Sequence, residues 1–180
     1  MKLLIIIPAK LDSKRLEKKN VQQINNKTLV EHSIDYAKAS LYKKEIVISS
    51  ESDIVRDIAL KNNVKFLERE KSLCGDAEVV DVYISILQKL NNQYDYVVAL
   101  QPDHPDREHT LDYCLDYMIE NNYDDLITIE PNFKRSGSVR IFKYKFLLNQ
   151  NVSKRIGCLR DSATDIHYLE DLHKAKNKMS

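Results

Sequence analysis

Short apolar runs alternate along this chain with longer segments in which apolar residues recur on a helical period. Residues 4–7, with the sequence LIII, are apolar at every position, as is typical of a strand buried on both faces. Pro8 has no amide hydrogen to donate, so we expect this strand to end there. Further strands are predicted at 45–49, 64–67, 94–100, 125–129 and 138–142.

The segments between the strands are predicted helices, at 28–40, 51–62, 77–90, 108–120, 144–148 and 168–178. In the first helix Glu31 stands three residues after Thr28, the spacing of a capping box, and Asn26 is an alternative cap. The pattern leaves residues 155–159 unassigned.

The alternation of strands and helices favours parallel strands with helices on both faces of the sheet. We therefore predict an α/β protein with a Rossmann-like three-layer α/β/α arrangement and a mostly parallel central sheet. A single domain over residues 1–180 is the simplest reading of the length. The alternation changes near Gly137, so residues 138–142 are assigned to a different part of the fold, with antiparallel pairing as one option.

The composition argues against several classes of function. Lys and Arg total 28 against 27 Asp and Glu, a net charge of +1, so no global field favours nucleic acid or a membrane surface. No window approaches the roughly 20 apolar residues of a membrane span, and the first apolar run is too short for a signal peptide. The three cysteines lie far apart without metal-binding spacing. We therefore expect a cytoplasmic protein with reduced thiols.

A basic loop follows the first strand. It has five cations within ten residues, namely Lys10, Lys14, Arg15, Lys18 and Lys19. In open α/β sheets ligands bind at the carboxyl ends of the strands, which favours a polyanion site here over a solvated basic loop. The only three glycines, at 75, 137 and 157, exclude both the dinucleotide fingerprint and a Walker A loop. Phosphates must then be held by cationic side chains and backbone amides.

Four segments in order resemble the motifs of a known family. They are IIPAKLDSKRLEKKN at 6–20, VISSESDIVRDIALKNNVKFLEREKSLCGD at 47–76, LQPDHPDR at 100–107 and ATDIHYLEDLHKA at 163–175. They are similar to the motifs of the CMP-sugar-acid synthetases, the cytidylyltransferases that activate sialic acid and KDO. The resemblance spans nearly the whole chain. It implies that the predicted Rossmann-like fold is that of the nucleotidyltransferases.

The resemblance also implies a reaction and its residues. An acceptor oxygen attacks the α-phosphorus of CTP, and pyrophosphate leaves. Lys10, Arg15 and Lys19 are the implied catalytic residues, because they would clamp the β and γ phosphates. The nucleotide-binding positions that the resemblance assigns are Pro8, Ala9, Lys10, Leu11, Ser13, Arg15, Lys19, Asn20, Arg69, Asp76 and Gln101.

A metal site is implied as well. Family motifs match Asp103 and Asp165, which would bind Mg²⁺ near the α-phosphate. From the residues alone, either aspartate could instead cap the helix that follows it. His167 stands where the family has a second aspartate, and imidazole is a poor ligand for Mg²⁺. Taken singly, His104 and His167 are most simply polar surface residues.

The chain differs from the family in the residues that would contact the cytosine base, the phosphates and the acceptor. Lys10 stands where the family has arginine, and residues 78–80 replace small hydroxyl residues that face cytosine. Only five residues separate Pro131 from Gly137, where the family has a long insertion, so we expect a smaller acceptor or one bound mainly through its own acid group. Arg107 and Arg140 are the candidates for binding its anionic group, with Lys134 and Arg135 as further cations. Each of these could equally be a rim charge.

Together these points predict a cytidylyltransferase for surface glycan or capsule biosynthesis. Its expected partners are CTP and a small acidic acceptor, either a sugar acid such as a nonulosonic acid or KDO, or a phosphate or phosphonate compound. No nucleic acid or membrane partner is expected, and a homodimer is one assembly that the sequence leaves open. The alternative is a catalytically inactive nucleotide-binding relative that acts as a regulatory or assembly partner.

Overall fold

A computed structural model describes residues 1–13, 15–75 and 78–180 of the chain. Seven strands form one sheet in the order β5-β4-β1-β6-β8-β7-β9. They are β1 (Lys2–Pro8), β4 (Lys43–Ser50), β5 (Lys65–Glu68), β6 (Tyr96–Ala99), β7 (Asp125–Ile129), β8 (Arg135–Lys143) and β9 (Ile156–Arg160). Two further strands, β2 (Gln23–Ile24) and β3 (Lys27–Thr28), form a separate hairpin.

The pairing of the strands confirms a mostly parallel sheet. β1 lies between β4 and β6 and is parallel to both. At the two ends of the sheet, β5 is parallel to β4 and β9 is parallel to β7. β8 is antiparallel to both of its neighbours, β6 and β7. Antiparallel pairing at 138–142 is therefore confirmed. Its assignment to a different part of the fold is wrong, because β8 lies inside the main sheet.

Besides two 3₁₀ turns at Lys19–Val21 and Lys71–Leu73, the described part of the chain has six α-helices. They are α1 (Leu29–Ala39), α2 (Asp53–Lys61), α3 (Val79–Leu90), α4 (Leu111–Glu120), α5 (Tyr144–Leu148) and α6 (Leu169–Lys178). The predicted capping box of α1 is confirmed, since the Glu31 amide donates to the Thr28 hydroxyl and the Glu31 carboxylate accepts from the Thr28 amide. Asn26, the alternative cap, lies in the β2–β3 turn with a φ of 63°. None of these helices is long and apolar enough to cross a membrane.

Apolar side chains on both faces of β1 are buried and create two cores. Leu3, Ile5 and Ile7 pack with residues of α1, α2 and α4, whereas Leu4 and Ile6 pack with residues of α3 and α5. This is the three-layer α/β/α arrangement that the alternating pattern predicts. Burial on both faces explains why residues 3–7 of β1 are all apolar.

The sheet brings four loops to one edge. Because β1, β5, β6 and β9 run in the same direction, the loops that leave their carboxyl ends all begin at that edge. Their described residues are 9–13, 15–22, 69–75, 78, 100–110 and 161–168. Each of the four segments that resemble the family motifs contributes one of these loops.

Candidate active site

A cavity of about 210 Å³ opens at this edge of the sheet. It lies between the loop after β1, the loop after β5 and the loop after β6. The residues that line it are Pro8, Lys10, Asp12, Ser13, Lys19, Asn20, Arg69, Leu73, Gly75, Val79, Val82, Gln101, Pro102 and Asp103. Seven of the eleven predicted nucleotide-binding residues are among them, so the structure brings most of that set together.

Backbone contacts hold the loop after β1 in place. The Ala9 amide donates to the Ser49 carbonyl over 2.9 Å, and the Leu11 amide donates to Glu51 Oε1 over 2.7 Å. Asn20 closes the loop, because its Nδ2 donates to the Lys10 carbonyl over 2.7 Å. Ala9 and Leu11 therefore contribute to the shape of the loop and do not line the cavity.

The three predicted phosphate-binding cations lie side by side. Lys10 Nζ donates to the Gly75 carbonyl over 3.0 Å, which joins the loop after β1 to the loop after β5. Arg15 lines a second pocket that also contains Lys10, Lys19 and Gly75 and so adjoins the first. Asp12, Ser13 and His167 complete that pocket. Asp76, another predicted nucleotide-binding residue, lies outside the described residues.

Arg69 is a buried cation in the cavity wall. It is only 7 % exposed, and its Nη2 donates to the Ser49 carbonyl over 2.9 Å. Burial lowers the pKa of this guanidinium, and the Glu51 carboxylate opposes that change. Its Nε has no hydrogen-bond partner within the described ranges. A buried donor of this kind is costly without a partner, so the cavity retains binding capacity for an acceptor atom.

Asp103 follows β6 and is held by two neighbours. Its Oδ2 lies 2.6 Å from Lys19 Nζ, and its Oδ1 lies 3.0 Å from His104 Nδ1. Burial alone would raise the pKa of this carboxyl, but His104 and Lys19 outweigh burial and hold the pKa below its usual range. The Asp103 side chain is therefore a carboxylate at neutral pH.

The loop after β9 brings Asp165 to the same place. The Ile166 amide donates to the Asp103 carbonyl over 3.0 Å, which joins the two loops. One potential ligand atom from each of Asp103, His104 and Asp165 lies within 4.8 Å of the other two. The structure thus brings the two predicted metal-binding aspartates together, although 62 positions separate them in the sequence.

Neither aspartate is a helix cap. Thr110 caps α4, since its side chain accepts from the Tyr113 amide. Asp171 accepts from the Tyr168 amide at the start of α6. The alternative interpretation of Asp103 and Asp165 as caps is therefore wrong, which leaves their carboxylates available to the site.

The histidines differ from the expectation of polar surface residues. His104 is 1 % exposed, so that expectation is wrong for it. His167 is partly exposed, and its Nε2 lies 3.0 Å from Asp165 Oδ2. The sequence signal for His104 was its position between Asp103 and a proline in a segment that follows a buried strand.

The two arginines predicted to bind the acceptor lie elsewhere. Arg107 points into the protein, where Nε and Nη2 donate to the carbonyls of Ser138 and Gln101 over 3.0 and 2.7 Å. Arg140 donates to Asp125 over 2.8 Å and lines a different pocket beside α3 and α5. Neither lines the cavity at the sheet edge, so we do not retain them as acceptor ligands.

Sequence reasoning missed two aspartates that fix the loop after β9. Asp106 accepts from the amide and the hydroxyl of Thr164, both over 2.8 Å. Asp161 accepts from the Ser138 hydroxyl and from the Ala163 amide. These contacts position the segment that carries Asp165. The dense acidic pattern around residue 105 was the only available signal, and it concerned Asp106 alone.

The arrangement has the parts needed for phosphate chemistry. Cations from the loop after β1 and the Asp103 carboxylate line one cavity, and an oxygen of Asp165 lies within 4.8 Å of one of Asp103. This arrangement allows a polyphosphate and a cation to bind side by side. The buried His104 Nε2 has no hydrogen-bond partner in the described structure, so the carboxylate pair is fitted to receive a cation.

Comparison with known proteins finds similarity along most of the chain. A family model described as "Cytidylyltransferase" matches residues 4–172. Pseudaminic acid cytidylyltransferase of Campylobacter jejuni is 38 % identical over 110 residues, covering 58 % of this chain and 47 % of its own length. CMP-N,N'-diacetyllegionaminic acid synthase of Legionella pneumophila is 34 % identical over 113 residues, covering 60 % and 49 %. The chain thus spans about half the length of these curated relatives.

Solved structures share the fold across the whole chain. A CMP:2-keto-3-deoxy-manno-octonic acid synthetase complexed with CTP superposes with a TM-score of 0.78 and 14 % identity, covering 99 % of this chain and 98 % of that one. A cytidylyltransferase from Leptospira borgpetersenii superposes with a TM-score of 0.72 and 20 % identity, covering 98 % and 85 %. At these identities the likeness concerns the fold alone.

Proposed function

The chain belongs to the cytidylyltransferase family, and we propose that it transfers CMP from CTP to a small acidic acceptor with release of pyrophosphate. The observation that carries the proposal is the cavity that Lys10, Lys19 and Asp103 line together. A triphosphate needs concentrated positive charge, and transfer at its α-phosphorus needs charge neutralisation beside the carboxylates. One cavity offers both.

In this proposal one part of the site binds the phosphates of CTP and the other part binds its nucleoside. Lys10, Arg15 and Lys19 hold the β and γ phosphates, so that the pyrophosphate leaves with its charge neutralised. Arg69 and Gln101 face the nucleoside, and the free Nε–H of Arg69 donates to it. An acceptor oxygen forms the new bond to the α-phosphorus as the bond to the β-phosphate breaks. A proton on an attacking hydroxyl passes to solvent.

The carboxylates would hold a cation that takes part in the reaction. Members of the family typically use a divalent metal ion. Mg²⁺ is the ion that the resemblance predicts, and the oxygens of Asp103 and Asp165 are ligands of the type it prefers. A cation bound there would neutralise charge that develops on the α-phosphate.

The acceptor is a sugar acid or a smaller anionic compound. The names of the relatives support a nonulosonic acid, and hence a role in surface glycan or capsule biosynthesis. The short connection between β7 and β8 supports the smaller class, such as a phosphate or phosphonate compound. With Arg107 and Arg140 engaged elsewhere, Lys134 and Arg135, where β8 begins, are the remaining candidates for the anionic group, and Lys134 Nζ lies 3.4 Å from Glu130.

The cellular setting of the proposal is the cytoplasm. The three free cysteines are consistent with a reducing compartment. CTP and the acceptor are the proposed partners, and homodimerisation stays a prediction.

The decisive experiment measures pyrophosphate release. Purified chain is incubated with each nucleoside triphosphate, a divalent cation and a panel of sugar acids, phosphates and phosphonates. We expect release with CTP and one acceptor class, and its loss in Asp165→Asn. No release with any acceptor, together with no CTP binding by calorimetry, would overturn the proposal.

One observation favours an inactive nucleotide-binding relative as the second candidate. His167 stands at the position of a family aspartate and lies 3.0 Å from Asp165, so the carboxylate pair is altered. This candidate predicts that CTP binds without turnover and that Asp165→Asn leaves the behaviour of the chain unchanged. The same release assay therefore separates the two candidates.

A further inference from the structure

A buried histidine lies beside the two carboxylates. His104 is 1 % exposed and directly follows Asp103. Its Nδ1 lies 3.0 Å from Asp103 Oδ1, a hydrogen-bond distance. Its Nε2 lies 3.9 Å from Asp165 Oδ1, which is too far for a hydrogen bond, and has no other partner in the described ranges.

The contacts orient the imidazole between the two carboxylates. The Asp103 carboxylate only accepts hydrogen bonds, so Nδ1 donates to it. Nε2 is left facing the Asp165 carboxylate inside the protein, at a distance too long for a hydrogen bond. A metal cation in this gap would bind to both, with the Nε2 lone pair as one ligand.

The second histidine holds the other side of Asp165. His167 Nε2 lies 3.0 Å from Asp165 Oδ2, which leaves Oδ1 directed toward His104. The bond from the Ile166 amide to the Asp103 carbonyl keeps the two loops together. His167 is therefore a positioning residue for Asp165, and His104 is the histidine that faces the cation.

We propose that Asp103, His104 and Asp165 bind a first-row transition-metal dication through two carboxylate oxygens and one imidazole nitrogen, and that the site therefore prefers Mn²⁺ to Mg²⁺. Mg²⁺ takes oxygen ligands and keeps several waters, whereas imidazole suits transition metals. Affinity should rise further from Mn²⁺ to Co²⁺, following the general order for such sites. The use of this ion in CMP transfer rests on the proposed function, but its binding does not.

The test is Mn²⁺ binding by the full chain, followed by electron paramagnetic resonance. We expect Mn²⁺ to bind about tenfold or more tightly than Mg²⁺, as measured by competition. Pulsed spectra should show modulation from one nitrogen nucleus, and histidine labelled with ¹⁵N should change its frequency. His104→Gln should remove the modulation and weaken Mn²⁺ binding by about tenfold or more, at least the loss that an outer-shell substitution causes.

Two variants serve as comparisons. His167→Gln should retain the nitrogen modulation, because that ring contacts Asp165 rather than the ion. His173→Gln makes the same change on the exposed surface of α6 and should match the parent chain in every measurement. Thermal unfolding of each variant checks that it is folded. The ¹⁵N experiment on the parent chain decides the ligand even if His104→Gln fails to fold.

Three results would overturn the inference. They are Mn²⁺ bound without nitrogen modulation, modulation that disappears in His167→Gln but persists in His104→Gln, and Mg²⁺ binding as tight as that of Mn²⁺. Pyrophosphate release separates this failure from failure of the proposed function. CMP transfer with Mg²⁺ and no nitrogen modulation would overturn only the metal inference. Nitrogen-bound Mn²⁺ without release with any acceptor would overturn only the proposed activity.

Discussion

Lys19 Nζ lies 2.6 Å from Asp103 Oδ2, so a proposed phosphate ligand and a proposed metal ligand form an ion pair with each other. Their side chains are 15 % and 13 % exposed, which makes the pair largely desolvated. A triphosphate would compete for Lys19, and a cation would compete for Asp103. Either ligand therefore releases the residue that the other one needs, and we expect CTP and metal to bind with positive coupling.

Lys19→Gln tests this relationship. Without nucleotide, the variant should bind Mn²⁺ more tightly than the parent chain, because Asp103 no longer has a competing cation. CTP should bind more weakly, because one phosphate ligand is lost. Calorimetry with each ligand alone measures both effects. Lys18→Gln is the matched control, since Lys18 is exposed and contacts only Glu17 at 4.0 Å among the described ion pairs. A fall in both affinities would contradict the competition.

Arg69→Lys tests the nucleoside end of the cavity. Lysine keeps the charge but has neither the fork of donors nor the Nε–H of arginine. Loss of one hydrogen bond to a charged group costs about 1.5–3 kcal/mol, so we expect CTP to bind about 10- to 100-fold more weakly. Arg56→Lys makes the same change at a surface arginine and should leave CTP affinity unaltered. Equal affinities in Arg69→Lys and the parent chain would remove Arg69 from the nucleotide site.

Two glycine substitutions separate binding from stability. An added Cβ at Gly137 would lie 2.4 Å from the Gln101 side-chain amide, the flexible end of a residue that lines the cavity. Gly137→Ala should therefore displace Gln101 and weaken CTP binding, with little loss of stability. At Gly157 the added Cβ would lie 2.3 Å from the Tyr123 ring, away from the cavity. Gly157→Ala should lower the free energy of unfolding by about 1–3 kcal/mol without changing CTP affinity.

A double variant checks the cause. In a Gln101→Ala background the side chain that Gly137→Ala displaces is absent. Gly137→Ala should then have no further effect on CTP binding. An additional loss of the same size in that background would mean that the glycine acts on the cavity by another route.

Asp106→Asn tests the support of the loop that carries Asp165. Burial would raise the pKa of Asp106, but bonds from Thr164 and the Lys178 cation outweigh burial and lower it. A lowered pKa stabilises the fold above the unfolded pKa of about 3.9, and the contribution is lost as pH falls through the folded value. At pH 7 the variant should be less stable by about 1–3 kcal/mol. Urea unfolding should show this difference shrinking below about pH 4, and a constant difference would contradict the assignment.

The sequence predicted the elements that depend on local pattern. β1 was evident because both of its faces are buried, and α1 because Thr28 and Glu31 form its capping box locally. β9 could not be assigned, because its five residues alternate between exposed and buried without a long apolar run. The β2–β3 hairpin was missed, since each strand has only two residues.

The candidate site was predicted as far as ordered motifs allow. Lys10, Lys19 and Asp103 lie around one cavity, as the resemblance implied, although their roles stay predictions. The position of Arg107 depends on the carbonyls of Gln101 and Ser138, which only the folded sheet brings near it. The burial of His104 likewise depends on a loop that arrives about sixty residues later. Contacts between residues far apart in the chain produce no local sequence pattern from which they could be predicted.

The position of β8 has a consequence for synthesis on the ribosome. β6 and β7 both emerge before residues 135–143, yet β8 separates them in the finished sheet. The nascent sheet β5-β4-β1-β6 therefore has an open edge at β6 until translation has passed residue 143. Open strand edges in incomplete domains promote association with other chains. We expect nascent chains that stop within β7 to be the ones most prone to aggregate and to need a chaperone.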